Sequence, residues 1–159
     1  MSRRYLTLRH AVVGVAAMAL ALGAPALGAH ADATFHTERI PLMPVNGSPL
    51  HTGFVIDTHA NGPIVYAHEV YVLNGAQPDT TYHVQLLGFA NGTNCTGAPL
   101  VTIPEATLMT NVSGNASGDL FFTPEQVAPF RHSTVQLQYQ VLGPTGLAYE
   151  TPCVVVGLD

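Results

Sequence analysis

Turn-forming clusters cut this chain into pieces too short for long helices. Asn46-Gly47, Asn61-Gly62-Pro63, Asn74-Gly75, Asn91-Gly92, Ser113-Gly114-Asn115 and Gly143-Pro144-Thr145-Gly146 recur along it, separated by runs rich in β-branched and aromatic residues. No window longer than two turns carries helical periodicity in this region, so the pattern predicts an all-β domain. Strands are expected at Phe35 to Leu42, Thr52 to Thr58, Ile64 to Leu73, Thr81 to Ala90, Leu100 to Ile103, Thr107 to Val112, Asp119 to Thr123, Thr134 to Leu142 and Leu147 to Gly157. Alternation is clearest from Val135 to Val141, where Val135, Leu137, Tyr139 and Val141 would face a core and Gln136, Gln138 and Gln140 the solvent. One apolar and one polar face imply an antiparallel sheet. The expected fold is therefore an antiparallel β-sandwich of about eight or nine strands, Greek-key or Ig-like, with a short helical turn between Pro124 and His132 capped by Thr123.

The first 31 residues do not belong to that pattern. Arg3, Arg4 and Arg9 precede an apolar run from Ala11 to Leu22, and Ala29-His30-Ala31 gives the small-x-small motif of a signal-peptidase site. The apolar run is too short for a permanent membrane span. The division expected is a signal peptide over 1–31 and a secreted sandwich over 32–159, with no integral membrane span in the mature part. Ser2-Arg3-Arg4-Tyr5-Leu6 resembles a twin-arginine signal and the run after it is rich in Ala and Gly, which points to a bacterial source, by the general or the twin-arginine route.

Removing that segment takes most of the positive charge with it. The chain has no lysine; Arg39 and Arg131 remain against ten acids, a formal charge of −8. Nucleic acid is a poor partner for such a surface, because counterion release needs clustered cations. Hydrophobic residues make up 47% of the chain, enough for one core. Cys95 and Cys153 lie in the exported part, where a single disulfide between them is expected; the alternative is two buried free thiols.

Gly75-Ala76-Gln77-Pro78-Asp79-Thr80-Thr81-Tyr82 resembles the tyrosine corner of fibronectin type III and other Ig-like domains, in which the phenol bonds back across a turn. A longer set resembles the copper/zinc superoxide dismutases: Gly62-Pro63-Ile64-Val65, Val72-Leu73-Asn74-Gly75, Tyr82-His83-Val84-Gln85, Asn94-Cys95-Thr96 and Pro152-Cys153-Val154-Val155-Val156-Gly157 follow in that family's order. The resemblance implies a Greek-key sandwich with its two cysteines paired. It does not carry the metal chemistry over. Only His83 matches a ligand position, Gln85 and Gln138 stand where histidines belong, no histidine lies between Cys95 and Pro129, and Glu150 replaces the active-site arginine.

His36, His51, His59, His68, His83 and His132 show no i, i+2 or i, i+4 pairing, so no metal site and no cofactor are expected, although His68-Glu69 and His59 lie on neighbouring strands. Asp57 and Glu69 are placed to meet across strands, but no second acidic cluster accompanies them to form a glycosidase cleft. Ser48, Ser113, Ser117 and Ser133 lack a Gly-x-Ser-x-Gly elbow, leaving no catalytic set.

The remaining expectation is a non-enzymatic module that binds a protein or carbohydrate partner through polar loops. Its candidate binding residues are Asn91, Thr93, Asn94 and Thr96 beside the first cysteine, and Asn111, Ser113 and Asn115 in a hairpin turn. Sequons at Asn46, Asn91, Asn94, Asn111 and Asn115 would serve as turn residues in a bacterial protein. The rival expectations are a metal-binding dismutase-like protein and a structural envelope protein.

Overall fold

The computed structural model describes residues 36–60 and 62–158; the expected signal peptide, 1–31, lies outside the described residues. Ten strands form two packed antiparallel sheets: β1 (His36–Pro41), β2 (Met43–Pro44), β3 (Thr52–His59), β4 (Ala67–Asn74), β5 (Thr81–Ala90), β6 (Val101–Met109), β7 (Ala116–Phe122), β8 (Ser133–Gly143), β9 (Gly146–Glu150) and β10 (Val154–Leu158). One sheet has the order β1-β3-β4-β7, and the other β2-β9-β8-β5-β6, with β10 also pairing β8. The protein is an all-β sandwich. A one-turn helix, α1 (Pro124–Val127), and a 3-10 turn, Ala128–Phe130, cross from β7 to β8 with Thr123 in a capping box, where the sequence places its helical turn.

Several strands differ from the sequence expectation: β4 begins at Ala67 and not Ile64, β7 begins at Ala116 and not Asp119, and the two-residue β2 was not expected. Two further differences each fall at a proline. Leu100 to Ile103 and Thr107 to Val112 are one strand, β6, because a bulge absorbs the break at Pro104. Val84 of β5 pairs Ala106 and Gln85 pairs Pro104, leaving Glu105 as the extra residue. Leu147 to Gly157 is instead two strands, β9 and β10, separated by Thr151, Pro152 and Cys153. Both flank one side of β8, β9 against Gln140 to Gly143 and β10 against Ser133 to Leu137.

The interior is dominated by tyrosines and aliphatics. Tyr71, Tyr139, Tyr149, Ile40, Leu73, Leu108 and Val55 are almost wholly buried. The Tyr82 hydroxyl lies 3.1 Å from that of Tyr149, which donates to the Pro49 carbonyl at 2.8 Å. Since Tyr149 has spent its proton on Pro49, Tyr82 is the donor between the two phenols.

On β8 the inward residues are those the alternation predicts. The glutamines differ from expectation, because neighbouring chain covers them. Gln136 is buried and its Oε1 accepts from the Asn94 amide at 2.7 Å, Gln138 donates to the Thr151 carbonyl at 3.1 Å, and Gln140 accepts from Gln85 at 2.9 Å. Cys95 and Cys153 form a disulfide with Cα atoms 5.6 Å apart, tying the β5–β6 loop to the segment before β10.

Candidate functional site

Period-two alternation puts Val55, Asp57 and His59 of β3, and Ala67, Glu69 and Tyr71 of β4, on the inner face of the first sheet. The register sets Asp57 directly opposite Glu69. From the facing sheet, Tyr139 of β8 donates to Glu69 Oε1 at 2.8 Å. Tyr71 bonds Glu69 Oε2 and lies 2.7 Å from Glu105 Oε2. The bulge at Glu105 creates this last contact, since an extra residue shifts the parity of β6 and turns a side chain inward.

A phenol carries one proton, yet Tyr71 meets two carboxyl groups. One of those groups must therefore be protonated and donate to the Tyr71 oxygen. Burial and the Glu69 charge raise Glu105 well above the ordinary carboxyl range, making it the proton carrier. Burial, with Asp57 opposite, also raises Glu69. The neighbouring acids push the Tyr71 and Tyr139 phenols up in turn, so both remain donors. Asp57 is held differently: its Oδ2 lies 3.1 Å from His59 Nε2, while its buried Oδ1 has no hydrogen-bond partner.

Beside this group lies a cavity of about 300 Å³. It sits between the sheets at the end crossed by α1. Leu86, Ile103, Phe122, Phe130, Val135 and Leu137 supply apolar wall, and Asp57, His59 and Glu69 the polar part. Gly88 keeps the β5 wall open. A Cβ there would lie 2.7 Å from Val101 Cγ1, so a side chain at this position would have to displace Val101.

The loop residues expected to bind a partner do not share a surface. Asn91, Thr93, Asn94 and Thr96 follow β5, at the cavity end, whereas Asn111, Ser113 and Asn115 follow β6. The nine residues of β6 run between them, a span of roughly 30 Å. Several of their polar groups are used in holding the loops. Thr93 Oγ1 donates to the Ala90 carbonyl at 2.9 Å, and Thr96 Oγ1 bonds to the Thr93 carbonyl. Asn111 Oδ1 accepts from the amides of Ser113 at 2.9 Å and Asn115 at 3.0 Å, while Asn115 Oδ1 accepts from Gly75 at 3.2 Å.

His68 faces outward, stacked on Phe121 and 3.2 Å from Asp119 Oδ2. The register sets His59 opposite Ala67 and His68 opposite Thr58, so His59 does not pair with His68-Glu69 across the sheet, and Glu69 faces Asp57. His83, the match to a dismutase ligand, is exposed with Nδ1 3.2 Å from Thr107 Oγ1. Among the described residues no three of His, Cys, Asp or Glu are placed to hold a metal ion, and no helix is long and apolar enough to cross a membrane.

The chain matches no family model, no curated protein and no solved structure.

Sequence reasoning reached Asp57, His59 and Glu69 but missed Glu105, Tyr71 and Tyr139 as their partners. Glu105 beside Pro104, in a run that is otherwise strand-like, was the available signal: a proline inside a strand marks an edge or a bulge.

Proposed function

We propose that this protein is an exported, non-enzymatic module that holds a small apolar molecule between its two sheets. The observation that carries this reading is the cavity of about 300 Å³. Mostly apolar walls with a few convergent polar groups are the usual make-up of a small-molecule site, and this volume stands at the lower end of their range. Action outside the cytoplasm is supported by the character of residues 1–31 and by the Cys95–Cys153 disulfide.

A protein or carbohydrate partner is a less economical reading. Carbohydrate recognition needs many unspent hydrogen-bonding groups, whereas the cavity walls are apolar and Asn111 and Asn115 bond their own turn. Catalysis is not part of the proposal. Glu69 and Glu105 face tyrosine hydroxyls, and among the described residues no serine or cysteine nucleophile lines the cavity.

Titration of the purified protein with N-phenyl-1-naphthylamine, a neutral apolar fluorophore, tests the reading. Saturable binding is expected, weakened at least tenfold by Val135→Phe, which fills the cavity from β8. Absence of saturable binding, or an unchanged affinity in a folded Val135→Phe protein, would overturn it.

A further inference from the structure

We propose that the outer face of the β1-β3-β4-β7 sheet is a homodimer interface. Two copies of this chain pack face to face about a two-fold axis that runs between β3 and β4 along the strands, and Arg39 of each copy pairs with Asp119 of the other. The inference is independent of the cavity, which lies on the inner side of the same sheet.

An antiparallel sheet packed on one side ordinarily alternates apolar residues inside with polar residues outside. The centre of this sheet does not. Between the buried residues of β3 and β4 stand Phe54, Ile56, Val70 and Val72, half-buried on the face turned away from the core. The runs Phe54-Val55-Ile56 and Val70-Tyr71-Val72-Leu73 therefore have the pattern of strands covered on both faces. Register gathers the four outer residues into one block, with Phe54 opposite Val72 and Ile56 opposite Val70. A contiguous apolar block with a polar rim is the mark of an interaction surface.

The rim points to a second copy as the occupant. Arg39 opposes Ile56, Ile56 opposes Val70, and Val70 opposes Asp119, so the four form one row across the sheet. The cation stands at the β1 edge and the anion at the β7 edge, both exposed. Among the described residues of these four strands, they are the only arginine and the only carboxylate on this face. A two-fold axis between β3 and β4 exchanges β1 with β7 and β3 with β4. It sets Arg39 against Asp119 twice, Ile56 against Val70 twice, and Phe54 against Val72 twice. A two-fold axis across the strands would instead set Arg39 against Arg39 and Asp119 against Asp119, so charge selects the first. Arg39 lies over the Phe54 ring at 3.9 Å and Asp119 Oδ2 is 3.2 Å from His68 Nε2, which holds each charge against this face.

The area suits a reversible dimer. Strand spacing and the eight residues of β3 and β4 make the face roughly 19 by 27 Å. A pair covering it removes on the order of 1,000 Å² from water, the lower limit for a specific interface, so the expected dissociation constant is about micromolar.

Sedimentation of the purified protein over a concentration series tests the proposal. The unmodified chain should pass reversibly from monomer to dimer in the micromolar range. Arg39→Glu and Asp119→Arg should each weaken the dimer at least tenfold, because each sets like charges against one another at two places. Mixed in equal amounts, the two variants should dimerise again, since each supplies the charge that the other lacks. An unmodified protein still monomeric at roughly 1 mM would overturn the proposal and leave the face to another occupant. Dimers that survive either substitution, or a mixture of the variants that stays monomeric, would overturn it as well. The unmodified protein decides whether the chain dimerises even if a variant does not fold.

Discussion

Tyr139 of β8 donates its hydroxyl proton to Oε1 of Glu69 on β4, 2.8 Å away across the interior of the sandwich. The bond joins the two sheets at a point where both residues are buried and where the acid has few other donors. Tyr139→Phe keeps the ring and removes the donor. The expected cost is about 1–3 kcal/mol of folding stability, the usual penalty for stranding a buried acceptor, measured by urea unfolding. A change below about 0.5 kcal/mol would mean that the hydroxyl contributes no net stability there.

The buried acids give stability an unusual pH dependence. Burial raises Glu69 and Glu105 above the ordinary carboxyl value of 4.5, so the folded state binds protons that the unfolded chain releases. The groups that face them are Asp57 and His59 from β3, Tyr71 from β4 and Tyr139 from β8. Their contribution is fully present below about 4.5 and is lost as pH rises through the elevated folded values. Stability should therefore fall between weakly acidic and weakly alkaline pH. Glu105→Gln, a neutral near-isostere, should flatten that slope. Urea midpoints that rise with pH, or a variant with the same slope as the unmodified protein, would contradict this account.

Asn111 is expected to matter for stability and not for ligand binding. Its Oδ1 accepts two backbone amides, Ser113 and Asn115, in the β6–β7 turn, where Gly114 has φ +74° and backbone of Ala76 lies too close for any Cβ. Asn111→Ala should lower stability by about 1–2 kcal/mol, as loss of an Asx turn bond does. Binding of N-phenyl-1-naphthylamine, at the other end of β6, should not change. A selective loss of binding in a stable variant would return this turn to the candidate site.

What was legible in the sequence follows from range. Thr81 to Ala90 reads as a strand and is one, because alternation and bounding turns are local. Asp57 and Glu69 could be placed together because a register between neighbouring strands is nearly local as well. Tyr71 stands two residues from Glu69 on the same face of β4 and was within local reach, but its contact with Glu105 and the bond from Tyr139 to Glu69 were not legible. Those contacts join strands from two sheets, across separations of 34 residues for Tyr71 with Glu105 and 70 for Tyr139 with Glu69. Glu105 was hidden further by Pro104, which reads as the end of a strand and is accommodated by a bulge. The cavity itself has no sequence signature, since its apolar wall residues look like any other core.

The Cys95–Cys153 disulfide closes a separation of 58 residues and anchors a loop that also hangs on Gln136. Its removal acts at two scales. Loss of the cross-link enlarges the unfolded ensemble, and a loop of this length corresponds to about 4 kcal/mol on the chain-entropy model. Locally, the Asn94 amide donates to Gln136 Oε1 at 2.7 Å, while the Thr93 hydroxyl proton is used on the Ala90 carbonyl within the loop. With Cys95→Ser and Cys153→Ser together, the Asn94 bond must hold the loop without the covalent clamp. Hydrogen exchange is expected to accelerate at Asn94 well before it does in β3 and β4, whose amides lie in the centre of the first sheet. Equal acceleration everywhere would show that the disulfide acts on global stability alone. No change at Asn94 would show that Gln136 suffices to fix the loop.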